Sequence, residues 1–183
     1  MNFKTLPLIF CISTLSVAAS AQEQLSFSAG ISSFAEIQKA SYFDGEESEY
    51  NFSGLQFNGA VNFSDNAQAQ ISLYSAKEED ISELKVSGTN IKMNLGQGFQ
   101  NKGFKAYGSL GLFNETLEIT TSDYEEKVSG LEFGGAIGYN FEVVSLDWGF
   151  TIRSTSDYET DNVFGSNTDV TVTTGFLALS ANF

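Results

Sequence analysis

Strict alternation of apolar and polar residues is the feature of this sequence that most constrains its fold. In residues 50–63, for example, Leu55, Phe57 and Val61 alternate with small or amide-bearing residues. Successive side chains of a β-strand point to opposite faces, so this period of two predicts strands rather than helices. Eight segments after residue 22 share the pattern, at 24–37, 50–63, 67–76, 83–95, 104–119, 128–141, 144–158 and 170–183. The chain is therefore expected to be all-β.

The alternation changes phase at two places. Around Ser87-Gly88 the apolar residues move to the other parity, and we predict a β-bulge there. In segment 104–119 the apolar parity also changes before Leu117 and Ile119.

The connections between the segments alternate in length. The short connections lie at 64–66, 96–103 and 142–143, and the long polar ones lie at 38–49, 76–85, 114–127 and 154–169. Short turns at one end and long loops at the other predict an up-and-down antiparallel meander.

A two-residue hairpin at Glu142-Val143 would fix the register of the sixth and seventh segments. It would place Trp148 opposite Ile137 on the apolar face. On the polar face it would place Glu132 opposite Arg153, the one arginine of the chain. A slip of one residue would destroy both matches, which supports this register.

Composition excludes several classes of function. The chain has no histidine, so a Ser-His-Asp triad and a histidine-ligated zinc site are excluded. Its single cysteine, Cys11, cannot form a disulfide framework. With 9 Lys+Arg against 23 Asp+Glu, the net charge of −14 leaves no basic face for nucleic acid. The carboxylate pairs Glu78-Glu79 and Glu125-Glu126 are interpreted as solvated surface charge, so we predict no catalytic residue, cofactor site or metal site.

Residues 1–21 have the pattern of a cleaved secretory signal peptide. Lys4 provides the positive start, an apolar stretch too short to span a membrane follows, and Ala19-Ser20-Ala21 matches the small-residue cleavage site. A stub of buried helix and a lipoprotein signal at Cys11 are the alternatives. We expect an exported protein with one domain over residues 22–183.

Two opposite architectures satisfy eight alternating strands. A soluble, lipocalin-like barrel buries its apolar face, whereas an outer-membrane barrel turns that face to lipid. The polar face is rich in amide, serine and glycine residues, and the strand charges that we assign to it are Lys92, Lys105, Glu132, Asp147 and Arg153. The four long connections hold 17 acidic and 4 basic residues, which leaves the strands nearly neutral. These observations favour an eight-stranded antiparallel up-and-down transmembrane β-barrel with an interior polar network.

Aromatic residues mark one end of the expected barrel. Phe63, Phe104, Phe141 and Phe183 each lie beside a short turn or the C-terminus. Aromatic side chains form girdles at the membrane interfaces of such barrels, so we expect these four to form the periplasmic girdle.

The sequence resembles the small eight-stranded outer-membrane β-barrel family, which includes the transmembrane domain of outer membrane protein A and outer membrane protein X. The residues that carry the resemblance are FKAYGSLGLF at 104–113, GLEFGGAIGYNF at 130–141 and GFLALSANF at 175–183. In that family a terminal Phe with alternating apolar residues before it is the signal for the barrel-assembly machinery. The resemblance implies that Phe183, Leu179 and Leu177 form this signal, although Ala181 stands where an aromatic residue is usual.

Three classes of function follow from this fold. Acidic loops with interspersed aromatic residues favour a structural protein that contacts an extracellular partner, and outer-membrane lipid and lipopolysaccharide are expected partners. A narrow ion or small-solute channel is the main alternative, although eight strands enclose a space that side chains fill. A soluble lipocalin-like carrier is the less favoured alternative. We expect a location in the cell outer membrane, no enzyme activity, no cofactor and no nucleic acid.

Overall fold

The eight predicted strands are confirmed. A computed structural model describes residues 25–42, 47–81, 83–122, 125–154 and 168–183, and the signal peptide predicted at 1–21 lies outside these ranges. The strands are β1 (Ser26–Tyr42), β2 (Glu47–Ser64), β3 (Ala67–Glu78), β4 (Leu84–Gln97), β5 (Gly103–Ile119), β6 (Glu125–Asn140), β7 (Val144–Arg153) and β8 (Thr168–Asn182). No helix in the described part of the chain is long and apolar enough to cross a membrane.

The strands form one closed barrel in chain order. Each strand pairs antiparallel with the next, and β1 also pairs antiparallel with β8. Reciprocal backbone hydrogen bonds between Phe27 and Phe183, of 3.1 and 2.8 Å, join the ends of the barrel. Closure removes the free sheet edges that would otherwise present unpaired N–H and C=O groups to lipid.

The predicted register of β6 and β7 is confirmed. Trp148 pairs with Ile137, and Arg153 pairs with Glu132. The Phe141 amide donates to the Val144 carbonyl at 2.8 Å, which closes the two-residue hairpin. Glu142 has a φ of 80°, and the Asn140 side chain supports this left-handed conformation by accepting the Glu142 N–H at 2.8 Å.

The apolar face of the sheet points outward, as the transmembrane interpretation predicts. Large hydrophobic side chains on the outer surface, such as Leu110 at 62% and Trp148 at 60% exposed, would face water in a soluble protein. The inward positions carry amides, hydroxyls and charged groups, together with buried apolar side chains in the half nearer the long loops. This inverted distribution overturns the lipocalin-like alternative, because a soluble barrel buries its apolar residues.

The bulge predicted near Ser87-Gly88 is wrong. Both residues pair in continuous register with β3 and with β5. A register shift occurs instead between Asn62 and Ser64, in the β2–β3 pair at the short-turn end. The apolar parity changes because Val86, fully buried, and Leu117 point into the barrel. Apolar residues therefore occupy the outward face near the short turns and the inward face near the long loops.

The strands extend into segments that the sequence assigned to long loops. Glu115, in the connection predicted at 114–127, belongs to β5 and is fully buried. Glu78 at the end of β3 is 5% exposed, so the prediction that it is solvated surface charge is wrong. Glu78 accepts hydrogen bonds from the backbone N–H groups of Asp80 and Ile81, and thereby holds the start of the β3–β4 connection. Tyr50, at the start of the predicted segment 50–63, lies in β2 and packs against apolar residues of the barrel interior.

Candidate functional site

The five charged residues predicted for the interior all lie in the lumen. Lys92, Lys105, Glu132, Asp147 and Arg153 are each no more than 5% exposed. They occupy inward positions of four neighbouring strands, β4 to β7, because each has the parity of the polar face. A buried charge is costly unless a partner compensates it, so the contacts of these residues define the interior.

Arg153 is the centre of a hydrogen-bonded cluster. Its Nη1 donates to the carboxylates of Glu36 and Glu115, the latter at 2.7 Å, and its Nη2 donates to the Tyr74 hydroxyl at 2.9 Å. The Tyr74 hydroxyl donates in turn to Glu115 at 2.9 Å. The guanidinium also lies 4.5 Å from the ring centroid of Phe113, a cation–π distance. We call Glu36, Tyr74, Glu115 and Arg153 the arginine cluster.

Glu132 is the cross-strand neighbour of Arg153 but a secondary partner. Its carboxylate lies 3.6 Å from the Arg153 Nε and 3.4 Å from the Lys92 Nζ, and neither contact has hydrogen-bond geometry. The short contacts of the arginine go across the lumen to Glu36 and Glu115, which the sequence analysis did not assign to the interior. Parity could have identified Glu36, because it shares the inward face with Ser32.

A second ion pair lies nearer the short-turn end of the barrel. The Lys105 Nζ donates to Asp147 at 2.9 Å. The same ammonium lies 5.4 Å from the ring centroids of both Phe99 and Tyr107. The two aromatic rings and the carboxylate together enclose the ammonium and remove it from water.

Amide side chains fill the lumen along β2, β3 and β4. Gln68 donates to Asn62 at 2.7 Å, and Asn94 donates to Gln68 at 2.7 Å and to Gln70 at 3.0 Å. Gln68 both donates to Asn62 and accepts from Asn94, so the amides largely satisfy one another, although the Oδ1 of Asn94 has no hydrogen-bond partner among the described residues. This amide ladder occupies the space that an aqueous channel would require.

Buried apolar side chains surround the arginine cluster in the half of the lumen nearer the long loops, where Phe52, Val128 and Val172 pair across strands with Glu36, Glu115 and Arg153. Two groups of buried residues form this apolar layer: Phe34, Phe52, Ala76, Val86 and Leu117 beside Tyr74, and Phe113, Val128, Val170 and Val172 on the other side. The Phe34 ring stacks on the Tyr74 ring with a centroid distance of 4.5 Å. The apolar layer packs around the arginine cluster, whose charged side chains are fully or almost fully buried.

The β4–β5 turn closes the opposite end. Phe99, 3% exposed, packs with its ring 5.2 Å from that of Tyr107, an inward residue of β5. Asp65 in the β2–β3 turn holds this segment, because its carboxylate accepts the backbone N–H groups of Gly98, Gln100 and Asn101 at 3.3, 3.0 and 2.9 Å. Burial raises the pKa of the Asp65 carboxyl, but these backbone hydrogen bonds outweigh it, and the pKa is lowered overall.

One small cavity lies in the lumen between described residues. It separates the amide ladder from the Lys105–Asp147 pair and has a volume of about 20 Å³, room for about one water molecule. No group of three or more acidic, cysteine or histidine residues in the described part of the chain is arranged to hold a metal ion.

The other predicted residues lie on the outer surface. Phe63, Phe104, Phe141 and Phe183 are exposed beside the short turns, with Phe141 in ring contact with Tyr139 at 4.7 Å. Leu177 and Leu179 point outward from β8, in line with the terminal Phe183. These positions fit a girdle and an accessible assembly signal, and both roles stay predictions.

Comparison with known proteins places the fold. A family model described as outer membrane protein beta-barrel domain matches residues 8–183. The chain belongs to this family. The protein is therefore an outer-membrane β-barrel, located in the cell outer membrane. No curated protein shows significant sequence similarity to it.

Solved structures with the same fold are distant in sequence. Neisserial surface protein A is 18% identical, with a TM-score of 0.55 over 87% of this chain and 98% of that one. OprG from Pseudomonas aeruginosa is 14% identical, with a TM-score of 0.54 over 88% and 97%. Ail, the attachment invasion locus protein of Yersinia pestis, is 13% identical, with a TM-score of 0.52 over 85% and 98%. At these identities the likeness establishes the barrel architecture alone.

Proposed function

We propose that this protein is a non-conducting outer-membrane barrel that acts by contacts at its surface. The observation that carries the proposal is the side-chain-filled lumen, in which the arginine cluster with its surrounding apolar layer, then the amide ladder and then Phe99 follow one another from the long-loop half to the short turns. The cavity between the amide ladder and the Lys105–Asp147 pair, of about 20 Å³, is too small to favour the channel alternative at that level of the barrel. The interior supports no catalytic arrangement either, since its carboxylates are committed to ion pairs and hydrogen bonds.

The long-loop end is the surface that we assign to an extracellular partner. In the sequence, residues 155–167 contain Asp157, Glu159 and Asp161 and no Lys or Arg. Tyr158 and Phe164 in the same segment add the aromatic character typical of contact surfaces. The charge of this segment selects a basic partner, because electrostatic complementarity favours encounter and suppresses like-charged competitors. The name of the Yersinia protein refers to attachment, which is compatible with such a role.

The experiment compares cells that display the protein on a surface coated with polylysine, a model basic partner. Changing Asp157, Glu159 and Asp161 together to Asn, Gln and Asn is expected to lower cell retention several-fold at low salt. The control changes Thr155, Ser156 and Thr160 to Ala in the same segment and leaves the charge intact. Retention should also fall as ionic strength rises, because salt screens exposed charges. Equal retention of the charge-neutralised and control cells would contradict the proposal.

Two further partners belong to the proposal. Outer-membrane lipid and lipopolysaccharide surround the outward apolar band, and the barrel-assembly machinery would read Phe183, Leu179 and Leu177 during insertion. The outward orientation of these three side chains supports the second assignment.

A further inference from the structure

An open hollow on the outer wall of the barrel has a charged end and an apolar end. It lies between β2 and β3 and has a volume of about 720 Å³. Its outward side chains are Ser53, Leu55, Phe57, Leu73, Ser75 and Lys77. Pairing orders them along the wall, because Ser53 lies opposite Lys77, Leu55 opposite Ser75 and Phe57 opposite Leu73. Lys77 and Ser53 therefore lie nearest the long loops, Ser75 and Leu55 next, and Phe57 and Leu73 deepest in the membrane.

Lys77 differs from the other outward lysines at this end of the barrel. Lys39 pairs with Glu49 at 2.9 Å, Lys85 with Glu118 at 2.8 Å and Lys127 with Glu125 at 3.1 Å. Lys77 forms no ion pair with any residue that the structure describes. An anion from outside the chain would therefore neutralise the Lys77 ammonium.

The residue opposite Lys77 on β4 is also a lysine, so it offers Lys77 no counter-charge. Lys77 pairs across the sheet with Lys85, whose charge is already matched by Glu118. Like charges directly opposite one another on an antiparallel pair are destabilising. A bound anion between the loops and the hollow would relieve this repulsion.

We propose that this hollow binds a phosphate-bearing glycolipid of the outer leaflet, with the phosphate at Lys77, sugar hydroxyls at Ser53 and Ser75, and an acyl chain along Leu55, Phe57 and Leu73. This inference rests on the membrane orientation of the proposed function. The vertical order of charge, hydroxyl and apolar surface matches the order of groups in such a lipid. Basic side chains at the membrane surface attract anionic headgroups by about 1 kcal/mol each.

A second hollow on the same outer wall provides the contrast. It lies across β4 to β7, has a volume of about 480 Å³, and is lined by Leu95, Ala106, Ile137, Trp148 and glycines, with no charged residue. It could accept an acyl chain but has no group for a phosphate. Comparing the two hollows therefore separates the contribution of the Lys77 charge to lipid binding from that of the apolar surface.

The test uses the full barrel in detergent, titrated with bisphosphorylated lipid A, with bound lipid measured by native mass spectrometry. Lys77→Gln should weaken lipid A binding about 5-fold. Lys39→Gln, at an outward lysine with its own carboxylate, should leave binding unchanged. Leu73→Trp, which fills the hollow, should also weaken binding, whereas Ile137→Trp in the second hollow should not. Heat-modifiable gel migration verifies that each variant is folded.

Three results would overturn the proposal. The first is equal binding by Lys77→Gln and the unmodified protein. The second is undiminished binding of lipid A stripped of its phosphates. The third is full competition by inorganic phosphate, since that would mean an anion site without an acyl groove. All these variants keep residues 155–167 unchanged, so failure here leaves the polylysine experiment, and the proposed surface function, independently testable.

Discussion

At the scale of single residues, Arg153 illustrates what parity in a strand can and cannot predict. The alternation placed it inside the barrel, and the two-residue hairpin placed it opposite Glu132, both as observed. Its stronger partners, Glu36 and Glu115, lie on β1 and β5, which are not adjacent to β7 in the sheet. Contacts across a lumen depend on how strands curve around it, and no sequence spacing encodes that geometry.

Replacing Arg153 with Met should destabilise the barrel by about 3–5 kcal/mol, because it leaves Glu36 and Glu115 buried without their cation. The measurement is the urea midpoint of the Trp148 fluorescence transition in lipid vesicles. The matched control adds Glu36→Gln and Glu115→Gln to the same change. This triple variant should recover most of the loss, since it removes the uncompensated charges. An unchanged midpoint for Arg153→Met alone would contradict the role assigned to the arginine cluster.

At the scale of elements, the turns hold information that the alternation does not. The sequence predicts the β4–β5 connection only as a short link. In the structure its Phe99 lies in the end of the lumen, and its backbone N–H groups donate to Asp65 of the neighbouring turn. The change of apolar parity at Val86 and Leu117 reflects a barrel with an apolar interior near the long loops. Polarity alone cannot separate an inward apolar residue from one that faces lipid, so the sequence predicted a bulge instead.

Asp65→Asn should loosen the β4–β5 turn and cost about 1 kcal/mol, because an amide has one accepting oxygen where the carboxylate uses two. Hydrogen exchange at Gly98, Gln100 and Asn101 should increase. Asp80→Asn, an equivalent change at an exposed site in the β3–β4 connection, is the control and should leave these amides protected. Protection of all three amides in Asp65→Asn would argue against the hydrogen bonds that hold the turn.

Acid should reproduce the effect of this substitution. The pKa of Asp65 is lowered in the folded protein, so its contribution to stability is present above its ordinary pKa of about 3.9 and is lost as the pH falls through the lower folded value. Exchange at the three amides, corrected for the intrinsic pH dependence of exchange, should therefore increase below about pH 4 in the unmodified protein. In Asp65→Asn the corrected exchange should not change over the same range.

At the scale of the whole molecule, the distribution of charge along the sequence predicts which face of the sheet points outward to lipid and which points into the lumen. An acidic chain that concentrates its carboxylates in the connections, and keeps amides and hydroxyls on one face of every strand, predicts an outward apolar wall. The structure confirms this wall and the closed order of eight strands. The layering inside could not be predicted, because each layer combines side chains from strands that are distant in the sequence.

The central claim is that a membrane barrel of this size is closed by its own side chains, and planar-bilayer conductance tests it most directly. Protein that migrates as folded on a heat-modifiable gel should insert into the bilayer and give no unitary current steps. Its heat-denatured counterpart reports any contaminating channel. Reproducible steps from the folded protein alone would mean an open path through the lumen, and would contradict the account.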